Sequence, residues 1–216
     1  GINNITLGAG NSTITSGAGI DTITTGAGDY IINAGDGDNA IWTGAAATNG
    51  SSITTGSGND TITTGGGSQT INSGAGNDTI VTSTGIDTIS GGAGNDTMTG
   101  GTGADVFKWG AGETGSDVIK DFTLGLGGDV LDLQDLLDGE SATTASLDAY
   151  LNFSANSSGQ AVITVDANAG TAGGTGQDIT LESVSYAALQ AYAGGSGSDA
   201  DIITQLLTDS LIITGP

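Results

Sequence analysis

An apolar residue returns every nine positions through the first half of the chain. Ile5, Ile14, Ile23, Ile32, Ile41, Ile53, Ile62, Ile71, Ile80, Ile89, Met98 and Phe107 form one unbroken column, interrupted only by three extra residues within Ala45 to Gly50. A nine-residue spacing is neither the stripe of a helix nor the alternation of an ordinary hairpin. It predicts short strands such as Thr61-Ile62-Thr63, in which the middle side chain points inward and its neighbours point out. Ahead of each strand stands a turn, with Gly at the first and third places of most blocks and a polar residue at the fifth, as in GSGNDTITT and GAGNDTIVT. Two turn-strand blocks make one coil, and coils stack as parallel strands about 4.8 Å apart. The expected fold is therefore all-β, a parallel β-roll (a β-solenoid).

The pattern lapses after Asp105. Both lysines, Lys108 and Lys120, appear there, with Trp109, Phe122 and a leucine-rich run at 130–137. Strands are expected at 106–109, 117–121, 162–166, 178–181 and 211–214, and helices at 131–137, 147–151, 184–192 and 200–207; 167–176 and 194–198 read as loops. The chain divides into a repeat domain, 1–105, and a mixed α+β C-terminal cap, 106–216, which covers strand edges that the last coil would otherwise expose.

Charge narrows the chemistry. The 216 residues hold 24 acids against two lysines and no arginine, a net charge of -22. That balance disfavours nucleic acid and anionic membranes and favours cations. No Cys or His is present, which removes thiol and Ser-His-Asp chemistry, disulfides and ordinary zinc sites, and leaves oxygen ligands for hard cations. No apolar run reaches the length of a membrane span and no signal-peptide pattern opens the chain. Gly1 falls at the third place of a block, which suggests a piece of a longer protein.

The blocks match the calcium-binding nonapeptide G-G-x-G-x-D-x-U-x. Glycine allows turns that aim carbonyl oxygens inward, and the Asp adds a carboxylate, toward the six to eight oxygens that Ca²⁺ takes. Because blocks alternate between two edges, the fifth places sort into two stacks. One holds Asn3, Asp21, Asn39, Asp60, Asp78 and Asp96; the other holds Ser12, Tyr30, Ser51, Gln69, Asp87 and Asp105. The first predicts a nearly continuous calcium file, the second a short cluster at Asp87 and Asp105, with turn backbone supplied by Gly56, Gly58, Gly74, Gly76, Gly92 and Gly94. Tyr30 and Gln69 mark coils held by packing, and Asp29, Asp36 and Asp38 are expected to be solvated. Carboxylates stacked about 5 Å apart repel by roughly 1–3 kcal/mol at dielectrics of 80 to 20, so the repeats are expected to be disordered without the cation.

These residues resemble the RTX (repeats-in-toxin) family. With Asp105-Val106-Phe107, the segment Asp117 to Phe122, Gly128 to Leu133, Ile179 to Glu182 and Leu211 to Thr214, the chain is similar to the C-terminal end of giant bacterial RTX adhesins, ice-binding ones among them. The resemblance implies an uncleaved C-terminal signal read by a type I secretion machinery (an ABC transporter, its adaptor and an outer-membrane pore), passage in the unfolded state, and folding on external Ca²⁺ at the cell surface. It also implies that Asp121, in the Asp-Phe pair, completes the last calcium site. Most blocks depart from the family pattern by carrying Thr, Ser or Ala where it has its first Gly. The module is expected to be monomeric and not an enzyme.

Two rival readings remain. Outward pairs such as Thr22/Thr24, Thr61/Thr63 and Thr97/Thr99 could form an ice-binding or adhesive ladder, although paired Thr are ordinary strand residues. The pair Asp129 and Asp132 could do acid-base work on a polysaccharide, a role that the lack of Arg and His argues against.

Overall fold

A computed structural model describes residues 1–45, 50–137, 143, 147–166, 176–194, 197–209 and 212–213. The chain falls into two compact units, Gly1–Val106 and Phe107–Pro216.

In the first unit the nine-residue period becomes two parallel sheets. One contains β1 (Asn4–Thr6), β3 (Thr22–Thr24), β5 (Ala40–Trp42), β7 (Thr61–Thr63), β9 (Thr79–Val81) and β11 (Thr97–Thr99) in that order. The other contains β2 (Ser12–Thr15), β4 (Tyr30–Gly35), β6 (Ser52–Thr55), β8 (Thr70–Asn72) and β10 (Thr88–Ser90). Successive strands therefore alternate between sheets, and each pairs with the strand one coil away. The register stacks like on like: Ile23 on Ile41, Ile41 on Ile62, Ile62 on Ile80 and Ile80 on Met98 in the first sheet, Ile32 on Ile53, Ile53 on Ile71 and Ile71 on Ile89 in the second. Every column residue from Ile14 to Met98 is buried. A one-residue slip would turn that column outward, so the column itself holds the register.

The turns stack as closely as the strands. Gly92 and Gly94 have φ of 83° and 134°, and at both a Cβ would strike the carbonyl oxygen one coil back, that of Gly74 or Gly76. Side chains are thus excluded at these places twice over, by backbone angle and by space.

In the second unit, β13 (Gly115–Ile119), β17 (Gln177–Ser185), β16 (Gln160–Val165) and β15 (Leu151–Ala155) form one mixed group. A second group joins β12 (Val106–Lys108), β14 (Val130–Asp132) and β18 (Ile212–Ile213). Helices α1 (Tyr186–Ala193) and α2 (Asp199–Thr208) follow β17, and α2 opens on a capping box between Ser198 and Asp201. Two expected helices give way. Residues 131–137 begin as strand β14 and end in a turn, because Leu131 pairs with Ile212; and of 147–151 Leu147 is helical, 148–150 are turn, and Leu151 opens β15 by pairing with Val165. Short apolar runs read equally as helix or strand until their partners are known. Of the expected loop 167–176, residues 167–175 lie outside the described residues, as do 195–196 and the ends, Leu211 and Thr214, of the last expected strand. Among the described residues no helix is long and apolar enough to cross a membrane.

Candidate metal centre

The fifth-place side chains build a ladder along each edge. On the first edge Oδ1 of Asp21 accepts the backbone N–H of Asn3 (2.7 Å), Oδ1 of Asn39 that of Asp21 (3.0 Å), Oδ1 of Asp60 that of Asn39 (2.7 Å), Oδ1 of Asp78 that of Asp60 (2.7 Å), and Oδ1 of Asp96 that of Asp78 (2.8 Å). On the second edge the same bond runs from Tyr30 N to Ser51 Oγ (3.1 Å), Ser51 N to Gln69 Oε1 (2.8 Å), Gln69 N to Asp87 Oδ1 (2.6 Å) and Asp87 N to Asp105 Oδ1 (2.8 Å). Each reaches back one coil. The structure thus gathers Asn3, Asp21, Asn39, Asp60, Asp78 and Asp96 on one edge and Asp87 and Asp105 on the other, and it shows that the non-acidic Asn39, Ser51 and Gln69 keep the same backward bond.

The second carboxylate oxygen is different. Oδ2 of Asp21, Asp60, Asp78 and Asp87 is buried and accepts no hydrogen bond. Hydroxyls do stand beside these groups, from Ser16, Thr55, Ser73 and Thr82. Their protons are already committed: Ser16 donates to the Ala34 carbonyl, Thr55 to Ser73, Ser73 to Gly91 and Thr82 to Gly100. A hydroxyl has one proton, so what each presents to the carboxylate is another oxygen. A buried carboxylate oxygen that accepts no hydrogen bond calls for a cation or a proton. Asp96 and Asp105 are equally buried, with Gly91 and Gly100 lying so close to their carboxylates that any Cβ would collide. At those two turns the family's first Gly is present and makes the room.

Burial is the leading cause that raises the carboxyls of Asp60, Asp78 and Asp87 above their ordinary 3.8, and the charge of Asp60 adds to it at Asp78. Asp21 goes the other way. Burial pushes it up, but the Ser16 hydroxyl beside it and then the Asn3 backbone and side-chain amides, both on Oδ1, carry it lower. A carboxyl raised by folding stabilises the metal-free fold fully below the unfolded value and loses that contribution as pH rises through the folded value. In EDTA, therefore, acidification from neutral toward pH 3.8 is expected to increase the parallel-sheet circular dichroism of the chain. With Ca²⁺ present, the same acidification should weaken ion binding, since protons and cations compete for Oδ2.

A second ladder was not anticipated from the sequence. Fourth-place side chains reach forward: Asp38 Oδ1 accepts from Asn59 N (2.7 Å), Asn59 Oδ1 from Asn77 N (2.7 Å) and Asn77 Oδ1 from Asn95 N (2.8 Å). The signal was the Asn recurring before Asp in 59–60, 77–78 and 95–96. Asp29, Asp36 and Asp38 are exposed or partly so. Ser57 holds the Asp36 carboxyl below its usual value through its backbone N–H and hydroxyl.

In the second unit Asp121 is half-buried, with the Thr123 hydroxyl on its carbonyl (3.4 Å). The acid pair weighed for catalysis is engaged structurally: Asp129 is buried and accepts the Thr123 N–H (2.8 Å), while Asp132 pairs with Lys108 (3.5 Å). Trp109 is core, its Nε1 donating to buried Asp117 (2.7 Å), which also accepts from Gln177 Nε2 (2.9 Å). Among the described residues no three or more acidic side chains converge as a metal cluster; cation sites along these edges must draw on backbone carbonyls as well.

Segments 1–32, 15–47, 48–80 and 72–107 each match the RTX calcium-binding nonapeptide repeat family. Residues 1–107 belong to the RTX calcium-binding repeats. Their β-roll is thus a calcium-binding repeat module, and the donor set fits: when bound, Ca²⁺ supplies the positive charge that buried Oδ2 atoms and turn carbonyls lack. Solved structures similar to the chain include two subunits of the Azotobacter vinelandii mannuronan C5-epimerase. The AlgE6R3 subunit is 28% identical at a TM-score of 0.39, over 54% of this chain and 66% of that one. The AlgE6R2 subunit is 22% identical at a TM-score of 0.46, over 85% of this chain and 92% of that one. No curated protein matches the chain.

Proposed function

We propose that this chain is a calcium-dependent folding and secretion module at the C-terminus of a type I secreted surface adhesin. Residues 1–105 fold when Ca²⁺ binds at Asp21, Asp60, Asp78 and Asp96 on one edge and at Asp87 and Asp105 on the other. Residues 106–216 contribute Asp121 as a further calcium ligand and carry the signal read by the transporter. The observation that carries the reading is the buried, donorless Oδ2 of Asp21, Asp60, Asp78 and Asp87. A fold that confines these anions without a cation is at a disadvantage in a calcium-poor cytosol, which keeps the chain unfolded for export. Extracellular calcium modules bind at about 10⁻⁴–10⁻³ M, so the switch is set for the medium outside the cell. Its role is structural, as a monomer.

Circular dichroism with and without Ca²⁺ tests the first half of this reading: strand signal is expected to appear over millimolar Ca²⁺ and vanish in EDTA. A chain equally ordered in EDTA at neutral pH overturns it. Deleting 199–216 tests the second half, and undiminished export would count against a signal there. An ice-binding face has one observation in its favour, the aligned Thr61, Thr79 and Thr97. Ala40 stands in that row below Thr61, and Trp42 and Val81, 43% and 36% exposed, break the companion row of Thr24, Thr63 and Thr99, so thermal hysteresis is expected to be absent.

A further inference from the structure

Where a fifth place is not Asp, the turn carries its own donor. Nδ2 of Asn39 donates to the carbonyls of Gly35 (3.0 Å) and Gly37 (2.7 Å), the first and third residues of its own turn. Gln69 Nε2 donates to Gly67 (2.8 Å) and more loosely to Gly66 and Gly65 (3.4 and 3.5 Å). In both residues the amide oxygen makes the backward ladder bond. The amide flip is fixed by these partners, since an N–H must meet the oxygen and carbonyls must meet the NH₂. Both residues are buried, at 2% exposed.

The comparison with Asp60 is close. Its Oδ1 is pinned by the same kind of N–H, and its Oδ2, the counterpart of Nδ2 in Asn39, is buried and accepts no hydrogen bond. An NH₂ group there satisfies the turn; a carboxylate oxygen adds a further negative atom to it.

We propose that the amides of Asn39 and Gln69 stand in for the cation, so that these two turns are closed without Ca²⁺ and take no ion of their own. Asn39 is then not a ligand, although it lies in the middle of the calcium file. The file is interrupted between Asp21 and Asp60, and ion occupancy is decided turn by turn by one atom, nitrogen or oxygen, at the end of the fifth side chain. Tyr30 closes a third turn by another route, its hydroxyl donating to the Gly8 carbonyl (2.7 Å) from a buried ring.

This inference rests on the calcium reading, and the experiment separates the two. Calcium stoichiometry of the full chain is measured by equilibrium dialysis for the wild type, Asn39→Asp and Asp60→Asn. The N39D chain is expected to bind one ion more than the wild type and to need more Ca²⁺ to order. The D60N chain is expected to bind one fewer and to retain more strand signal in EDTA. No binding by the wild type overturns the calcium reading itself. Binding by the wild type with an unchanged count in N39D overturns the amide substitution alone. If N39D fails to fold at any Ca²⁺ concentration, D60N decides: an unchanged count there, or less order in EDTA than the wild type, overturns it.

Discussion

Replacing Asp78 by alanine is expected to remove ion binding from the middle of the first edge and to destabilise the calcium-loaded roll by several kcal/mol. Two losses combine. The backbone N–H of Asp60 is left buried without its acceptor, at about 1–3 kcal/mol, and an ion bound at this turn would lose its carboxylate. Because Oδ2 of Asp60 and the carboxylate of Asp96 lie on the same edge, occupancy at adjacent turns should fall with it. Gln69→Ala is the comparison. It also removes a buried acceptor, from Ser51 N, and an amide that satisfies the turn, so it should lower the melting temperature. It should not change the number of bound ions. Isothermal titration of both variants, with thermal melts in saturating Ca²⁺, distinguishes the cases; equal loss of ions in the two would undo the division between edges.

Gly94→Val should be at least as damaging, and calcium should not rescue it. At φ of 134° an L side chain is strained, and its Cβ would overlap the Gly76 carbonyl oxygen, with Asn77 Oδ1 3.2 Å away. Relief requires one coil to move from the next, which lengthens the ladder bond from Asn95 N to Asn77 and separates β9 from β11. Overpacking costs about 1–3 kcal/mol where neighbours can yield; here they are backbone, and more than about 3 kcal/mol is expected. Chemical denaturation at saturating Ca²⁺ measures it. Gly10→Ala is the control at a glycine of similar φ, 131°, with nothing within 4 Å of an added Cβ; it should cost only the backbone strain.

The sequence by itself determined the roll. A column of isoleucine at a nine-residue period can be buried only if each block adds one short strand, and glycine at the first and third places can be explained only by turns that lack room for side chains. The sorting of fifth places onto two edges followed from alternation alone, and the six acidic fifth places of the repeat half were legible for the same reason. The second unit was legible only in part. Strands β13, β16 and β17 were anticipated, whereas 131–137 and 147–151 were read as helix because a short apolar run does not say whether its neighbour is a strand. The partner of Leu131, Ile212, lies far along the chain, while that of Leu151, Val165, sits in the next strand, β16.

Only the tertiary structure decided what each fifth residue does. In sequence Asn39 looks like a weaker Asp60, and Gln69 like a lost site. In the stacked turns their side chains divide into two atoms with separate tasks, one held by the N–H of the preceding coil and the other facing the carbonyls of its own turn. Whether that second atom is oxygen or nitrogen is written in the sequence, but its surroundings are not. They are made of backbone oxygens brought together by stacking, and a carbonyl leaves no mark in the order of residues.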